Sequence, residues 1–191
     1  MKEIKIGDQI WSASNLNVDK FQNGDLVPQA LDEEGWINAG INKEPCWCYY
    51  EEDSNNGEEF GKLYNWFAVT DNRKLAPVGW EIASDLDFIE LSNFLGGNEL
   101  AGMKLKSAEY WSETDDSYED IGFNALPGGV VNDAFIFFDL NEWGCWWSTT
   151  QVSEDSAWAC NLSNEFEEFG AAIEDDKRYG LSIRCIKRIE N

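Results

Sequence analysis

Histidine is absent from this chain of 191 residues. Its absence removes the commonest general base at neutral pH, the usual imidazole metal ligand, and every Ser-His or Cys-His nucleophilic pair. Basic residues are scarce as well: 14 Lys and Arg stand against 37 Asp and Glu, a net charge of −23. Phosphate recognition needs clustered cations, so nucleic acid is excluded as a partner, and an anionic membrane surface would repel the chain. No apolar stretch is long enough to span a bilayer, which excludes direct membrane insertion, and Met1-Lys-Glu-Ile-Lys-Ile6 lacks the apolar core of a secretory leader. The expected location is extracellular or at a cell surface if a leader has been removed, and otherwise phage-associated or cytoplasmic.

Cysteine chemistry is equally sparse in signals. The five cysteines are Cys46, Cys48, Cys145, Cys160 and Cys185. The odd number leaves at least one thiol outside any intramolecular bridge. Cys46-Trp-Cys48 is C-x-C rather than C-x-x-C, and no second pair completes a zinc ribbon. Asp115, Asp116, Glu119 and Asp120, near Ser112 and Thr114, could offer hard oxygens to calcium, but a solvated acidic loop is the preferred reading and no cofactor is expected.

What the chain has in abundance is aromatic surface, 14% of residues with ten Trp, which suits a core of aromatic wedges in loop-rich structure. Residues 1–191 fit one domain. Lys5–Trp11 reads as strand, turn and strand, bent at Gly7-Asp8, and Asn15–Glu44 reads as irregular, with a turn at Glu34-Gly35. Phe60, Leu63, Tyr64 and Phe67 share a helical stripe and predict a helix over 59–69. Ser84 as a cap, Asp85 and Asp87 behind it, and Gly96-Gly97 as a stop predict a second helix over 84–95. From Gly122 onward short apolar bursts between Gly, Asn and Asp read as antiparallel strands, which makes the class α+β.

Several words then stand in fixed order: Ile6-Gly-Asp-Gln-Ile-Trp11, Gly61-Lys-Leu-Tyr-Asn-Trp-Phe-Ala-Val69, Leu75-Ala-Pro-Val-Gly-Trp80, Gly122-Phe-Asn-Ala-Leu-Pro-Gly-Gly129, Trp146-Trp-Ser-Thr-Thr150 and Gly180-Leu-Ser-Ile-Arg-Cys185. Together they resemble the Fibrobacter succinogenes major paralogous domain family. The resemblance implies a C-type-lectin-like fold related to formylglycine-generating enzymes and to the variable proteins of diversity-generating retroelements. Two helices would flank small, twisted antiparallel sheets with long loops, and the strand near Ile4–Ile10 would lie close to Leu181–Ile189. It also suggests a Cys48–Cys185 bridge, since both sit in cysteine-bearing family words, with Cys145 and Cys160 unpaired. Trp66, Trp80, Phe88 and Trp146 are expected in the core.

The chain departs from the family text at Cys145, where the family usually shows a tyrosine, and between Trp158 and Lys177, where the usual text is largely replaced. That concentration implies a ligand surface of Trp143, Cys145, Trp158, Cys160, Ser163, Asn164, Phe166, Glu174 and Asp176. The expected function is a non-enzymatic binding or display module, of the kind a retroelement diversifies, for protein or glycan on another cell or virus. The alternative is a structural or assembly protein of a bacterial surface or phage particle. A formylglycine-generating-type oxidase is disfavoured: Cys145, Cys160 and Cys185 supply thiols, but no histidine stands by to activate one. Calcium-dependent sugar binding of the animal-lectin kind has no Glu-Pro-Asn or Gln-Pro-Asp tripeptide; Glu44-Pro45 runs into Cys46.

Overall fold

The structure, a computed structural model, describes residues 1–111 and 121–188, so the acidic run at 115–120 considered for calcium lies outside the described residues. Strands β1 (Glu3–Ile6) and β2 (Gln9–Ser12) form a hairpin whose turn needs the left-handed φ of 59° at Gly7. Helix α1 (Glu33–Asn42) follows a loop. Glu34-Gly35, expected as a turn, is the first turn of this helix, because Asp32 caps it by accepting from Gly35 N at 2.8 Å.

The helix expected over 59–69 does not form. Instead β3 (Trp47–Cys48) precedes α2 (Ser54–Phe60), then β4 (Leu63–Tyr64) and one turn of α3 (Trp66–Val69). Gly61 breaks the run at a φ of 85°, where a Cβ would stand 3.0 Å from the Leu16 carbonyl. The stripe misleads because its residues are buried on different sides. Leu63 packs with Trp36 and Cys48, whereas Tyr64 joins the core around Trp147 and pairs its backbone with Leu181. Tertiary pairing overrides a local 3.6-residue period.

After β5 (Glu81–Ile82), α4 (Asp85–Leu95) forms where expected, with Ser84 and Asp87 making a reciprocal capping box and Gly96 closing it at a φ of 107°. A further helix, α5 (Asn98–Leu105), packs beside it. The remaining strands are β6 (Gly128–Val131), β7 (Phe137–Leu140), β8 (Trp143–Gln151), β9 (Ser156–Ser163), β10 (Gly170–Asp176) and β11 (Cys185–Lys187).

The named strand pairs are antiparallel and gather into small sheets, ordered β1-β2-β11-β5, β10-β9-β8, β3-β4 and β6-β7. The architecture is α+β. The terminal strands meet as expected: Ile186 of β11 stands opposite Trp11 of β2. Trp66, Trp80, Phe88 and Trp146 are all buried, and each such side chain contributes roughly 1.5–3 kcal/mol or more.

The Cys48–Cys185 bridge is not made, and all five thiols are free and buried. Cys48 packs among Trp36, Tyr50 and Val131, while Cys185 belongs to the core around Tyr64 and Trp147. Two cysteines in separate packing units have no reason to meet.

Candidate functional site

The sheet β10-β9-β8 is covered on both faces through its middle. Cys145, Trp147, Ala157 and Ala159 fill one core, and Trp146, Cys160 and Leu162 fill the other, against α4 and α5. A strand buried on both faces reads as a continuous apolar run, which is why Cys145-Trp-Trp147 lacks alternation. Three residues expected on the ligand surface therefore lie inside: Cys145, Cys160 and Ser163 are buried. Cys160 Sγ points at the Trp146 carbonyl, 3.7 Å away, and Ser163 Oγ accepts from Phe166 N at 3.1 Å. They build the surface from beneath and are not displayed on it.

The other six reach solvent, in two groups. At the end where β8 begins, Trp143 and Phe166 make an edge-to-face pair with centroids 6.5 Å apart. Phe166 is 58% exposed, yet its loop is clamped. Lys106 Nζ donates to the carbonyls of Ser163 and Phe166 at 2.7 and 3.1 Å, and Asn164 Nδ2 donates to Asn141 O at 2.7 Å. Towards the other end of β9, Trp158 stands opposite Glu174, whose carboxylate accepts from Ser156 Oγ at 2.5 Å. Asp176 is already spent on Arg178, with Nε at 2.9 Å and Nη2 at 2.5 Å.

Two acids near this sheet were missed by the sequence reading. Phe138, Trp143, Ile173 and Tyr179 are partly buried against the first core. Asp175 shares the face of Ile173, two residues earlier in β10. Burial, helped by Asp176, pushes its carboxyl up to about 6. Asp139 sits in β7 at a φ of 65°, and burial first, then Glu142 and Glu165, pushes its pKa up as well. Both carboxylates act on the Cys145 thiol, which burial above all holds well above its ordinary range. Neither the Asp139 nor the Asp175 carboxylate has a hydrogen bond or ion pair among the described residues. Arg178, on the following turn, is held by Asp176 and by Asp133 at 3.2 Å.

A cleft of about 520 Å³, between Lys74, Trp80, Ile82 and Thr149, includes Arg188 and Asp71. Arg188 is held there by Asp87 and Glu81, and Asp71 by Arg73. Those charges are satisfied within the fold. Asp139 and Asp175 looked in sequence like any other acids in an acidic chain. The available signal was parity: Asp175 follows Ile173 on the core-facing side of β10.

Thiol chemistry is suppressed throughout. Burial pushes Cys46 up to about 11 and Cys185 up to about 12, and holds Cys48 and Cys160 well above the usual range. Arg184 draws Cys160 and Cys185 back down, but burial outweighs it. The five thiols are expected to resist an aromatic disulfide reagent at pH 8 in the folded protein and to react together on adding denaturant. A thiol that reacts at once under native conditions would contradict this burial.

Among the described residues, no three or more Cys, Asp or Glu side chains cluster closely enough to hold a metal ion, and no helix is long and apolar enough to cross a membrane. The pattern of the Fibrobacter succinogenes major domain matches residues 4–187, and the chain belongs to that family. No curated protein and no solved structure matches it.

Proposed function

We propose that this Fibrobacter succinogenes major domain is a non-enzymatic recognition module with a C-type-lectin-like fold. It engages protein or glycan on another cell or virus through the open side and end of the β10-β9-β8 sheet. The fold reading is supported by the joined terminal strands, the longer helices α1 and α4, and small antiparallel sheets carrying long loops. The observation that carries the function is the Trp143–Phe166 pair. An apolar ring is held out to solvent by a loop fixed at three backbone carbonyls. Rigid aromatic display costs little ordering on binding and is how anchor residues work. With Cys145, Cys160 and Ser163 inside, the displayed set is Trp143, Trp158, Asn164, Phe166, Glu174 and Asp176.

The test is a binding screen of the isolated domain against glycan arrays and a panel of displayed surface proteins, followed by variants. Phe166→Ala and Trp158→Ala are each expected to weaken a true ligand at least tenfold, and Phe166→Ala should keep the melting temperature within about 3 °C, since Phe166 packs mainly at a surface. Val78→Ala, at an 83% exposed position on the far loop, should leave binding unchanged. Binding indifferent to both aromatic variants, or lost only with the fold, would defeat the proposal.

A further inference from the structure

We infer that the cleft between Lys74, Trp80 and Thr149 is a second binding site, and that it takes a neutral hydroxylated ligand of the sugar class. Thr149 stands towards the end of β8 away from Trp143, so this site lies apart from the Trp143–Phe166 pair and does not depend on it.

The first argument is where the indole N–H groups go. Seven of the ten tryptophans donate theirs to an acceptor inside the fold, at 2.8–3.1 Å. Of the other three, Trp143 and Trp158 are half-buried and meet water at the surface. Trp80 is only 8% exposed, yet its N–H finds no acceptor among the described residues. No buried side-chain nitrogen or oxygen there is sealed off without a partner, so this N–H is open to solvent. The space beside the residue is the 520 Å³ cleft that it lines. A tryptophan placed this deeply ordinarily pairs its N–H.

Two more donors of the same cleft are unspent. Neither Lys74 Nζ nor the Thr149 hydroxyl has a hydrogen bond or ion pair among the described residues, although Thr149 N is tied to Ala83 O at 3.1 Å. The rim is fixed in advance: Gln22 N donates to Lys74 O at 2.9 Å, and Gln22 Nε2 to Ala76 O at 2.6 Å. A preformed cleft of this size with a few placed polar groups is the usual form of a small-ligand site.

The second argument selects the chemistry. Three unspent donors require acceptors on the ligand. An anion would supply them, but Asp71 and Glu81 share the lining and the chain carries a net charge of −23. A cation would gain little from those acids, which Arg73 and Arg188 already hold at 2.8 and 2.9 Å, and Lys74 would repel it. A hydroxyl group suits both kinds of partner. It accepts from Trp80 and Lys74, and it donates to the carboxylate lone pairs that the arginines leave free. Several hydroxyls on one small neutral molecule describe a sugar. Lys187 Nζ lies 4.8 Å from the centre of the Trp80 ring, so one ring face is taken and Trp80 contributes its N–H rather than a stacking platform.

The experiment is a titration of the whole chain, followed by calorimetry and by the indole and backbone N–H resonances in NMR spectra. The probes are glucose, galactose, mannose and N-acetylglucosamine, with glucuronate and glucosamine as charged counterparts and N-acetylalanine amide as a peptide-like control. In the free protein the Trp80 indole N–H should exchange with deuterium at least tenfold faster than those of Trp66 and Trp147, which donate to internal carbonyls. At least one neutral sugar is expected to shift the Trp80 indole and Thr149 amide signals and to bind at least threefold more tightly than either charged counterpart. Trp80→Phe keeps a ring and removes the donor, and should weaken binding about tenfold. Lys74→Met, at an exposed position, should weaken it at least threefold, and it decides the matter if Trp80→Phe does not fold. Phe166→Ala should leave it within twofold. Slow exchange at Trp80, no shift with any neutral sugar, or binding unchanged in both cleft variants overturns the inference. Preference for glucuronate or for N-acetylalanine amide overturns it too, by making the cleft an anion or peptide site. If a sugar binds but depends on Phe166 and not on the cleft, the inference falls and the recognition module stands.

Discussion

Replacing Arg184 with methionine is expected to cost roughly 4 kcal/mol of folding stability, the largest loss at any single polar position here. The side chain is fully buried, and every contact of its guanidinium is to a neutral acceptor. Nε donates to Asn15 Oδ1 at 2.8 Å, Nη1 to Ser12 O at 2.9 Å and Phe123 O at 2.6 Å, and Nη2 to Asn124 O at 2.6 Å. The Phe123 ring lies 4.5 Å from the guanidinium carbon. Burial pulls the group down to about 9, so it stays charged at neutral pH and its desolvation is offset only by dipoles and the ring.

Methionine fills the volume and removes that desolvation cost. It also strands three carbonyls in the interior, each at about 1–3 kcal/mol, and unties Ser12, Phe123 and Asn124 from the strand that closes the fold. Arg184→Lys keeps the charge, but a single ammonium cannot span four acceptors, and it should recover less than half the loss. Urea unfolding of both variants measures this. An Arg184→Met protein within about 1 kcal/mol of wild type would show that the network is dispensable. Arg188→Met is the contrast: that guanidinium is half exposed, and its loss should cost less, through its bond to Asp87.

Such long-range ties explain which parts of the fold were legible in the sequence. Helix α4 was, because its determinants are local: a Ser84–Asp87 capping box, apolar Phe88, Leu91 and Leu95, and a glycine stop. The α1 signal was also local, with Asp32 before two acidic residues, but Gly35 was read as a turn when it is the residue that donates to the cap. The stretch 59–69 was not legible, since Leu181 decides the fate of Tyr64 from more than a hundred residues away. At the site, Trp143, Trp158 and Phe166 were recognisable as aromatics amid polar text. Cys145 and Cys160 were misplaced because the sequence does not reveal that α4 covers one face of their sheet and Tyr64 and Trp66 the other. Asp139 and Asp175 were invisible for a related reason. What distinguishes them is the partner they lack, and that depends on the whole fold.

Asp175→Asn is expected to stabilise the protein by roughly 2 kcal/mol at pH 7.5, an unusual direction for a change in a half-buried residue. Its folded carboxyl titrates at about 6, against 3.8 when unperturbed, and burial is the main cause. The folded state therefore holds this proton more tightly than the unfolded state does. Stability from this group is greatest below pH 4, falls as the pH rises towards 6, and is flat and unfavourable above. At about 1.36 kcal/mol per pH unit the full difference would be about 3 kcal/mol, and partial solvation of the group reduces it to about 2. Asp176 beside it, Cys145 and Tyr179 facing it, and Arg178 on the next turn titrate outside this window or are paired, so subtracting the variant from wild type isolates Asp175. The gap should be near zero at pH 4 and widen to its full size by pH 7, measured by urea unfolding across that range. A variant less stable than wild type at pH 7.5 would mean that Asp175 supports the fold through a contact it is not seen to make.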